Sequence, residues 1–412
     1  MSAAQPILSE TEYPASVAEL QAPAAAAPAI TGERFARLQL ARSLNVGPRT
    51  FTQLLRRYGN AQAALSALPA LAGRGGKTDY VACAREMVEA ELEAGHAMGA
   101  TLLLMGDPDF PPMLQSLDPV PPAIWVKGVT SLLTRRTVAI VGARNASALG
   151  LRTARRLARE LGATGHVIVS GLARGVDAAA HEASLATGTI AVMAGGLDQP
   201  YPPDNVPLAG RIGEEGLLVT EVPFGIAPIA KHFPRRNRLI SGLSRGVVLI
   251  EAAARSGSLI TARFALEQGR EAMACPGAPE DPRSAGCNAL IREGAALIRH
   301  AGDVEEALAA PRTLHLAEDG YDFEFDAELF TDDAMRDDYE ALADFDEEGI
   351  ADDRALGDQI MSLLGHAPVE IDEIARLCGT TPSDLSLAIL ELDLAGRIEL
   401  RPGGMIARLE VD

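Results

Sequence analysis

The chain has 412 residues, of which 47% are hydrophobic and 4% aromatic, and its formal net charge is −19. This length excludes a single small domain and predicts two to four structural units. The four cysteines are Cys83, Cys275, Cys287 and Cys378, and they are scattered without a Cys-x-x-Cys pair. Their spacing excludes a zinc site and a disulfide framework, and predicts a reduced, metal-free cytoplasmic protein. Residues 1–30 lack the pattern of a signal peptide, and no apolar run is long enough to cross a bilayer, so we expect no membrane contact.

The negative charge is concentrated in one segment. Between Glu318 and Arg354 there are 17 acidic and 2 basic residues, whereas the stretch from Gly128 to His300 has 20 Lys and Arg against 14 Asp and Glu. The middle of the chain is therefore basic, and the overall charge does not exclude a polyanionic partner. Residues 313–354 are predicted to be an acidic linker. A solvated tether is the favoured interpretation of this linker, and a DNA mimic that competes for the basic region is the alternative.

The N-terminal third predicts a tail followed by helices. Residues 1–30, rich in Ala and Pro, are expected to be a disordered tail. Residues 31–100 show helical periodicity and predict a SAM-like or helix–hairpin–helix domain, in which Gly47 makes a turn and Pro48 starts the next helix. Such corners either hold a DNA phosphate on backbone N–H groups or only pack two helices, and we favour packing.

Residues 101–312 alternate between strands and helices. This alternation predicts an α/β fold, an extended Rossmann-like, doubly wound and mainly parallel sheet. The apolar segments expected to form its strands are 102–105, 138–141, 167–169, 190–193, 217–219, 247–250, 272–274 and 296–298. Intervening helices are expected over 149–161, 176–187 and 259–268.

Residues 355–412 predict three helices followed by a β-hairpin, the pattern of a small winged-helix domain. The third helix, 382–396, carries Asp384, Glu391 and Asp393 but no cation. A helix that enters a DNA groove normally brings positive charge. We therefore expect this domain to contact protein, or to fold back on the core, rather than to bind DNA.

The loop after the strand at 138–141 is a candidate phosphate site. In a doubly wound sheet this loop presents a ligand to the N-terminus of the following helix. Arg144 stands where the dinucleotide fingerprint requires its second Gly, and the next strand ends without the Asp or Glu that binds ribose. Neither NAD nor another cofactor is therefore expected, and Gly142, Arg144 and Ser147 are predicted to bind a single phosphate.

A second loop, residues 170–177, repeats this design. Ser170, Gly171, Arg174 and Gly175 offer backbone and side-chain donors to an oxyanion. Asp177 and His181, four residues apart on a helix, suggest acid–base catalysis, but a structural role is the favoured interpretation. In that role Asp177 caps a helix or orients Arg174, and His181 packs beneath the loop.

The segment from Lys231 to Arg238 places four cations and one aromatic ring within eight residues. It predicts a polyanion site in which Phe233 stacks on a base; the plainer alternative is a basic helix start with Phe233 in the core. Since parallel strands end at one edge of the sheet, this segment should meet a third loop after the strand at 247–250. The additional residues predicted to line this polyanion site are Lys231, Phe233, Arg235, Arg236, Asn237, Arg238, Ser256, Gly257 and Ser258.

Five segments together closely resemble the DNA-processing protein A (DprA/Smf) family: Val141–Arg144, Ser170–Asp177, Gly195–Pro202, Phe233–Ser244 and Ser256–Ala262. The resemblance covers about the middle half of the chain, and the flanking helical and winged-helix regions agree with it. It implies a homodimer that binds single-stranded DNA and loads the RecA recombinase during natural transformation. By motif, Arg144 and the Ser170-Gly171 turn would hold phosphate, the cations Lys231, Arg235 and Arg238 would track the backbone, and Phe233 would stack on a base.

An enzyme is the alternative. Related Rossmann-like phosphoribohydrolases act on nucleoside monophosphates with similar glycine loops, and they resemble one another in a segment that supplies a catalytic glutamate. In this chain the corresponding loop, 255–261, is not followed by a Glu until Glu267. We therefore predict a DNA-binding mediator rather than an enzyme.

Overall fold

The computed structural model describes residues 30, 32–44, 46–74, 80–309, 354–364, 369–380, 385, 388–389, 398–401 and 405–408. The predicted tail (1–30) and acidic linker (313–354) therefore fall, apart from Ile30 and Arg354, outside the described residues.

The N-terminal unit consists of helices. They are α1 (Gly32–Arg42), α2 (Pro48–Tyr58), α3 (Ala61–Arg74) and α4 (Arg85–Ala97). Helix α2 starts at Pro48, because the fixed φ and missing N–H of proline suit the first helical position. Leu40, Phe51 and Ala64 are buried between α1, α2 and α3. The helical N-terminal domain predicted from the sequence is confirmed.

Glu91 on α4 links this unit to the rest of the protein. Its carboxylate accepts two hydrogen bonds of 2.8 and 2.9 Å from the guanidinium of Arg42 on α1, and one of 2.7 Å from the indole N–H of Trp125. A buried ion pair stabilises only when its hydrogen bonds are satisfied, as they are here. The N-terminal helices are thereby fixed against the edge of the central sheet.

A nine-stranded sheet forms the centre of the protein. Its strands are β1 (Thr101–Leu104), β2 (Ala123–Gly128), β3 (Thr137–Gly142), β4 (Val167–Ser170), β5 (Thr189–Val192), β6 (Leu217–Thr220), β7 (Gly246–Ile250), β8 (Glu271–Ala274) and β9 (Ala296–Leu297). Their order is β1-β2-β6-β5-β4-β3-β7-β8-β9. Strands β3 to β9 run parallel, whereas β2 is antiparallel to both of its neighbours, β1 and β6. The mainly parallel, doubly wound sheet is confirmed.

Strand β2 is the one element of this sheet that the sequence pattern does not predict. It directly follows Pro121 and Pro122, which indicate a loop. It also lies outside the alternation of parallel strands and helices, because it runs antiparallel to both β1 and β6. Elsewhere the predicted elements differ only at their ends. The helix expected over 176–187, for example, ends at Ser184.

Helices cover both faces of the sheet. They are α5 (Pro112–Gln115), α6 (Ala148–Ala163), α7 (Val176–Ser184), α8 (Val206–Glu215), α9 (His232–Gly242), α10 (Gly257–Glu267), α11 (Ala285–Arg292) and α12 (Ala301–Ala309). On β3, Ala139 and Val141 pack with α9 and α10, whereas Val138 and Ile140 pack with α6 and α7. A strand that is buried on both faces reads as a continuous apolar run, which is why the parallel strands can be recognised in the sequence.

The strand order reverses at β3. The chain passes from β3 to β4 on one side, and β7 pairs with β3 on the other. Ligands of doubly wound sheets bind outside the carboxyl ends of the strands at such a switch point. The fold therefore indicates that a ligand would bind at the loops that follow β3, β4 and β7.

The C-terminal unit has winged-helix topology. Its described elements are α13 (Arg354–Leu363), β10 (Val369–Glu370), α14 (Ile371–Cys378), β11 (Ile398–Arg401) and β12 (Met405–Arg408). Strands β11 and β12 form an antiparallel hairpin, and β10 pairs with β12. Within the predicted third helix, three residues are described, Leu385, Ala388 and Ile389, and all three are helical and buried.

This unit folds back on the core, one of the two outcomes expected for it. Nη1 of Arg152 on α6 lies 2.6 Å from the carboxylate of Glu373 on α14. The guanidinium of Arg283 donates to the carbonyl oxygens of Ser362 and Leu364, at 2.6 and 2.8 Å. Ala148, in the first turn of α6, packs into the apolar core of the winged helix. The start of α6 therefore contacts the C-terminal unit.

Two further properties bear on the sequence-based expectations. Within the described ranges, no helix is both long and apolar enough to span a membrane.

All four cysteines are unpaired, and burial raises the pKa of Cys275 and of Cys287 to about 12. These two thiols stay protonated at neutral pH and are therefore poor nucleophiles.

Candidate nucleic-acid interface

Four loops at the carboxyl ends of the parallel strands form one surface, called here the strand-end surface. They are residues 143–147 after β3, 171–175 after β4, 221–231 after β6 and 251–256 after β7. The first turn of α9 follows the third loop and belongs to the same surface. The sequence predicts that these loops converge, and in the structure they contact one another.

Gly175 joins the β3 and β4 loops. Its φ is 74°, and a Cβ at this position would lie 2.3 Å from the carbonyl oxygens of both Ala143 and Arg144. The backbone N–H of Val176 also donates to the Ala143 carbonyl at 3.2 Å. Glycine is needed here for the positive φ and for the close approach. This contact fixes the backbone that carries Arg144.

The Phe233 ring is surrounded by cations and a second aromatic ring. The guanidinium carbons of Arg144 and Arg236 lie 5.5 and 5.6 Å from its centroid, within the range of a cation–π contact. The Tyr201 ring packs edge-on against it, with the centroids 6.2 Å apart. Phe233 is half-buried, so part of its surface faces solvent. The arrangement presents an aromatic face beside positive charge.

Two cations of the basic segment are exposed. Lys231 and Arg235 are solvent-exposed, and Arg255 in the β7 loop is exposed too. Together with burial, Lys231 and Arg235 lower the pKa of the neighbouring His232, so that this histidine is neutral at pH 7. The positive charge on this part of the surface therefore comes from lysine and arginine.

Arg236, by contrast, is buried, with 7% of its surface exposed. Its guanidinium lies against Gly171, where a Cβ would come within 1.7 Å of Nη1. Burial raises the pKa of Asp177, and the charge of Arg236 opposes that shift. The Asp177 carboxylate also accepts hydrogen bonds from the backbone N–H groups of Gly171 and Ala173, at 3.0 and 3.4 Å. Arg236 and Asp177 thus hold the β4 loop against α9. The sequence suggested that Asp177 orients Arg174, but the arginine whose charge acts on Asp177 is Arg236.

His181 supports the same loop from below. Its Nε2 accepts a hydrogen bond from the backbone N–H of Leu172 at 3.3 Å, and its Nδ1 lies 2.7 Å from the hydroxyl of Thr189. The Thr189 hydroxyl donates to the Ile168 carbonyl, so Nδ1 must carry the proton. Burial, with a smaller effect of Arg236, lowers the pKa of His181 to about 3. A neutral, fully bonded histidine fits the structural role favoured from the sequence.

Two other arginines of the predicted set are held by acids. The Arg238 guanidinium donates to the Pro119 carbonyl and lies 3.4 Å from the carboxylate of Glu221. Nε of Arg174 lies 2.6 Å from the carboxylate of Asp204. Their charges are therefore partly compensated in this structure, and they contribute less to the field of the surface than Lys231.

The predicted serine and glycine residues have inward-facing roles. The Ser147 hydroxyl accepts from the Gly150 N–H and donates to the Glu251 carboxylate, and the Ser170 hydroxyl donates to the Ile140 carbonyl at 2.6 Å. A Cβ on Gly142 would lie 1.8 Å from the carbonyl oxygen of Ile250, its partner across the sheet. Both serine side chains are buried, so their hydroxyls are not exposed on the strand-end surface.

The β7 loop meets α9 through Asn237. Its side-chain amide donates to the Gly257 carbonyl at 3.3 Å and accepts from Arg236 at 3.1 Å. Ser256 caps α10 by accepting from the Ser258 N–H, and the two serine hydroxyls lie 2.8 Å apart. Asn237 is buried, whereas Ser256 and Ser258 are half-buried beside it. The structure thus brings all of the predicted segments together, with some side chains forming the surface and others its support.

Sequence reasoning did not assign roles to several residues on or beside this surface. Tyr201 lies within a motif that signalled the family, but only the structure shows its ring against Phe233. Glu251 follows β7, and its contact with α6 depends on the approach of two distant segments. Ile226 and Ile229 are 44% and 49% exposed on the loop that leads to Lys231. The signal in the sequence that could have indicated this pair is two isoleucines in a loop with Gly225 and Pro228, directly before a basic segment.

The described residues contain no group of three or more His, Cys, Asp or Glu side chains that could hold a metal ion. The charged side chains of the strand-end surface are mainly cationic. The surface suits the binding of an anion that also carries flat apolar groups.

Comparison with known proteins identifies the family. The model of DNA recombination-mediator protein A matches residues 101–309, that of the DprA-like N-terminal HHH domain matches 31–94, and that of the DprA winged helix domain matches 347–404. Protein Smf of Escherichia coli (strain K12) is 37% identical over 308 residues, which cover 74% of this chain and 76% of that protein. DNA processing protein DprA of Bacillus subtilis (strain 168) is 42% identical over 220 residues, covering 53% of this chain and 74% of that protein.

A solved structure supports the same assignment. The X-ray structure of DNA processing protein A from Streptococcus pneumoniae aligns with a TM-score of 0.57 and 31% identity, covering 67% of this chain and 98% of that one. The matches span the N-terminal helices, the sheet and the winged helix, and the first of them covers half of the chain. The chain therefore belongs to the DprA/Smf family of DNA recombination-mediator proteins.

Proposed function

We propose that this protein binds single-stranded DNA on the strand-end surface, protects it, and loads the RecA recombinase onto it, as in natural transformation. The observation that carries the proposal is the Phe233 ring, which lies close to the guanidinium of Arg144 and to the Tyr201 ring, in the same segment as the exposed Lys231 and Arg235. An aromatic face next to cations matches the two parts of a single strand, its stacked bases and its phosphates.

The residues of the predicted set divide into two roles in this proposal. Arg144, Lys231 and Arg235 bind phosphates, and Phe233 stacks on a base, with Ile226 and Ile229 offering further apolar contact. Arg236, Asn237, Ser147 and Ser170 position the loops from inside the protein. Duplex DNA hides its base faces in the stack, so this surface should prefer single strands.

RecA loading and homodimer formation enter the proposal through family membership. A mediator must hold single-stranded DNA and still permit a recombinase to take it over. The winged helix folds back on α6, through Arg152 and Glu373, and leaves Lys231 and Arg235 exposed. In the proposed function this unit contacts protein rather than DNA.

The first experiment is fluorescence anisotropy of labelled single-stranded and duplex oligonucleotides across a salt series. We expect tighter binding of the single strand, with log K falling by about 0.7 per log unit of salt for each phosphate contact. Equal affinity for duplex, or an affinity independent of salt, would contradict the proposal. RecA loading is then tested by following RecA-dependent ATP hydrolysis on single strands already covered by a single-strand-binding protein, with and without this protein.

The phosphoribohydrolase alternative makes a different prediction, release of free base from nucleoside monophosphates. Glu267, the first glutamate after the β7 loop, lies at the end of α10 and accepts a hydrogen bond from Arg263 at 2.8 Å. It is exposed and stands ten residues beyond the helix start at Gly257, which places it about 15 Å along the helix from the strand-end surface. We therefore propose a binding protein, and chromatographic detection of free adenine from AMP would overturn that choice.

A further inference from the structure

Glu251 occupies an unusual position at the switch point of the sheet. It follows β7 with a φ of 52°, a left-handed conformation that is uncommon for residues other than glycine. Its carbonyl oxygen accepts a hydrogen bond from the Ala143 N–H at 2.7 Å. Its carboxylate accepts from the backbone N–H of Ser147 at 2.8 Å and also from the Ser147 hydroxyl. One residue of the β7 loop thus bonds to the β3 loop through both backbone and side chain.

The contact leaves little space between the carboxylate and α6. A Cβ added at Gly150 would lie 2.6 Å from Cδ of Glu251. Gly142 and Ile250, at the ends of the two strands, also approach closely, since a Cβ on Gly142 would lie 1.8 Å from the Ile250 carbonyl oxygen. The Glu251 carboxylate therefore leaves little room for a further group between the end of β7 and the start of α6.

The charge of Glu251 also suits the start of α6. Helix α6 has 16 residues and no acidic residue in its own first turn. The N-terminus of a helix favours negative charge because its first N–H groups have no partners within the helix. In many doubly wound sheets a ligand phosphate supplies that charge at this place. Here the carboxylate of Glu251 already supplies it.

We propose that Glu251 closes the switch-point crevice to the phosphate of free nucleotides and so determines which anions the protein accepts. Nucleoside monophosphates and diphosphates are excluded from the start of α6 by the volume and the charge of the carboxylate. Phosphodiesters remain accessible to Arg144, Lys231 and Arg235 on the strand-end surface. The exclusion of free nucleotides does not depend on the DNA binding proposed above, because it concerns a different set of contacts.

The test uses the full chain with Glu251→Ala and Glu251→Gln, titrated calorimetrically with inorganic phosphate and with AMP at constant ionic strength. For the wild-type protein we expect no saturable binding at the start of α6. Glu251→Ala removes both volume and charge and should bind phosphate at least about tenfold more tightly than the wild type. Glu251→Gln removes the charge but keeps the volume, so it should bind more tightly than the wild type and less tightly than Glu251→Ala.

Folding and net charge are controlled separately. Circular dichroism and thermal unfolding show whether each variant is folded; if Glu251→Ala is not, Glu251→Gln decides. Glu267→Ala removes an exposed acid from α10 and should behave as the wild type does. The proposal is overturned if the wild type binds phosphate or AMP as tightly as the folded variants, or if Glu267→Ala gains as much affinity. Single-stranded DNA is titrated in parallel into the wild type and Glu267→Ala, whose changed residue lies outside the strand-end surface, so a failure of DNA binding is seen as a separate result.

Discussion

The guanidinium carbon of Arg144 lies 5.5 Å from the centroid of the Phe233 ring, so the loop after β3 and the first turn of α9 present a cation and an aromatic face together. The two residues come from distant parts of the chain, and Gly175 holds the backbone of the first in place. A cation over a ring is stabilised by the ring's quadrupole, which also orients the guanidinium. This pair is the centre of the proposed interface.

Arg144→Ala should weaken the binding of single-stranded DNA of any sequence and reduce its salt dependence. The loss of one phosphate contact lowers the slope of log K against log salt by about 0.7. Anisotropy titrations over a salt series measure both effects. The matched control is Arg159→Ala, an exposed arginine more than three turns along α6, which should leave both the affinity and the slope near those of the wild type. An unchanged slope for Arg144→Ala would remove this residue from the interface.

Phe233→Ala should reduce affinity for base-bearing single strands by about 1–3 kcal/mol, the usual contribution of a stacked base. Phe233→Leu keeps apolar volume but loses the flat ring, and should lie between Phe233→Ala and the wild type. The measurement compares an oligothymidine with an abasic strand of equal length, which offers phosphates without bases. If both strands lose the same affinity, the ring acts by packing, the plainer alternative from the sequence.

The neighbours Arg235 and Arg236 show how far sequence reasoning reaches at this site. The strand–loop–helix pattern predicts that their segment lies at the carboxyl edge of the sheet, and it does. Which of the two arginines faces solvent depends on how α9 is rotated against the β4 loop, and on the space that Gly171 leaves for one guanidinium. Glu251 is a similar case, since its contact with Ser147 requires two segments far apart in the chain. Local patterns indicate the loops, but the roles within them are decided by tertiary contacts.

Acidification should destabilise the protein in part through His181. Its pKa is about 3 in the folded protein, because burial and Arg236 disfavour the charged ring, against an ordinary value of 6.5. Between these two values the unfolded chain binds a proton that the folded protein does not, so the stability contributed by His181 falls as the pH is lowered through that window. The expected slope approaches about 1.4 kcal/mol per pH unit well below the ordinary value.

His181→Gln isolates this contribution. Glutamine can still accept the hydrogen bond from the Leu172 N–H, but it does not titrate. Urea unfolding between about pH 7 and pH 5 should show a shallower loss of stability for the variant than for the wild type. Asp177, whose pKa is raised by burial, acts with the opposite sign, but it is present in both proteins and cancels in the comparison. Parallel pH profiles for the two proteins would contradict the assignment.

The adjacent arginines of α9 should give opposite phenotypes. Arg236→Ala removes the cation beside the buried Asp177, and breaking such a pair costs about 3–5 kcal/mol of folding free energy. Arg235→Ala changes an exposed side chain, so we expect the unfolding midpoint to stay near that of the wild type while single-strand affinity and its salt slope fall. Urea unfolding gives the stability of each variant, and anisotropy titration gives its affinity for single-stranded DNA. An Arg236→Ala protein as stable as the wild type would show that the β4 loop does not need the cation, and the proposed division between supporting and DNA-binding arginines would then be wrong.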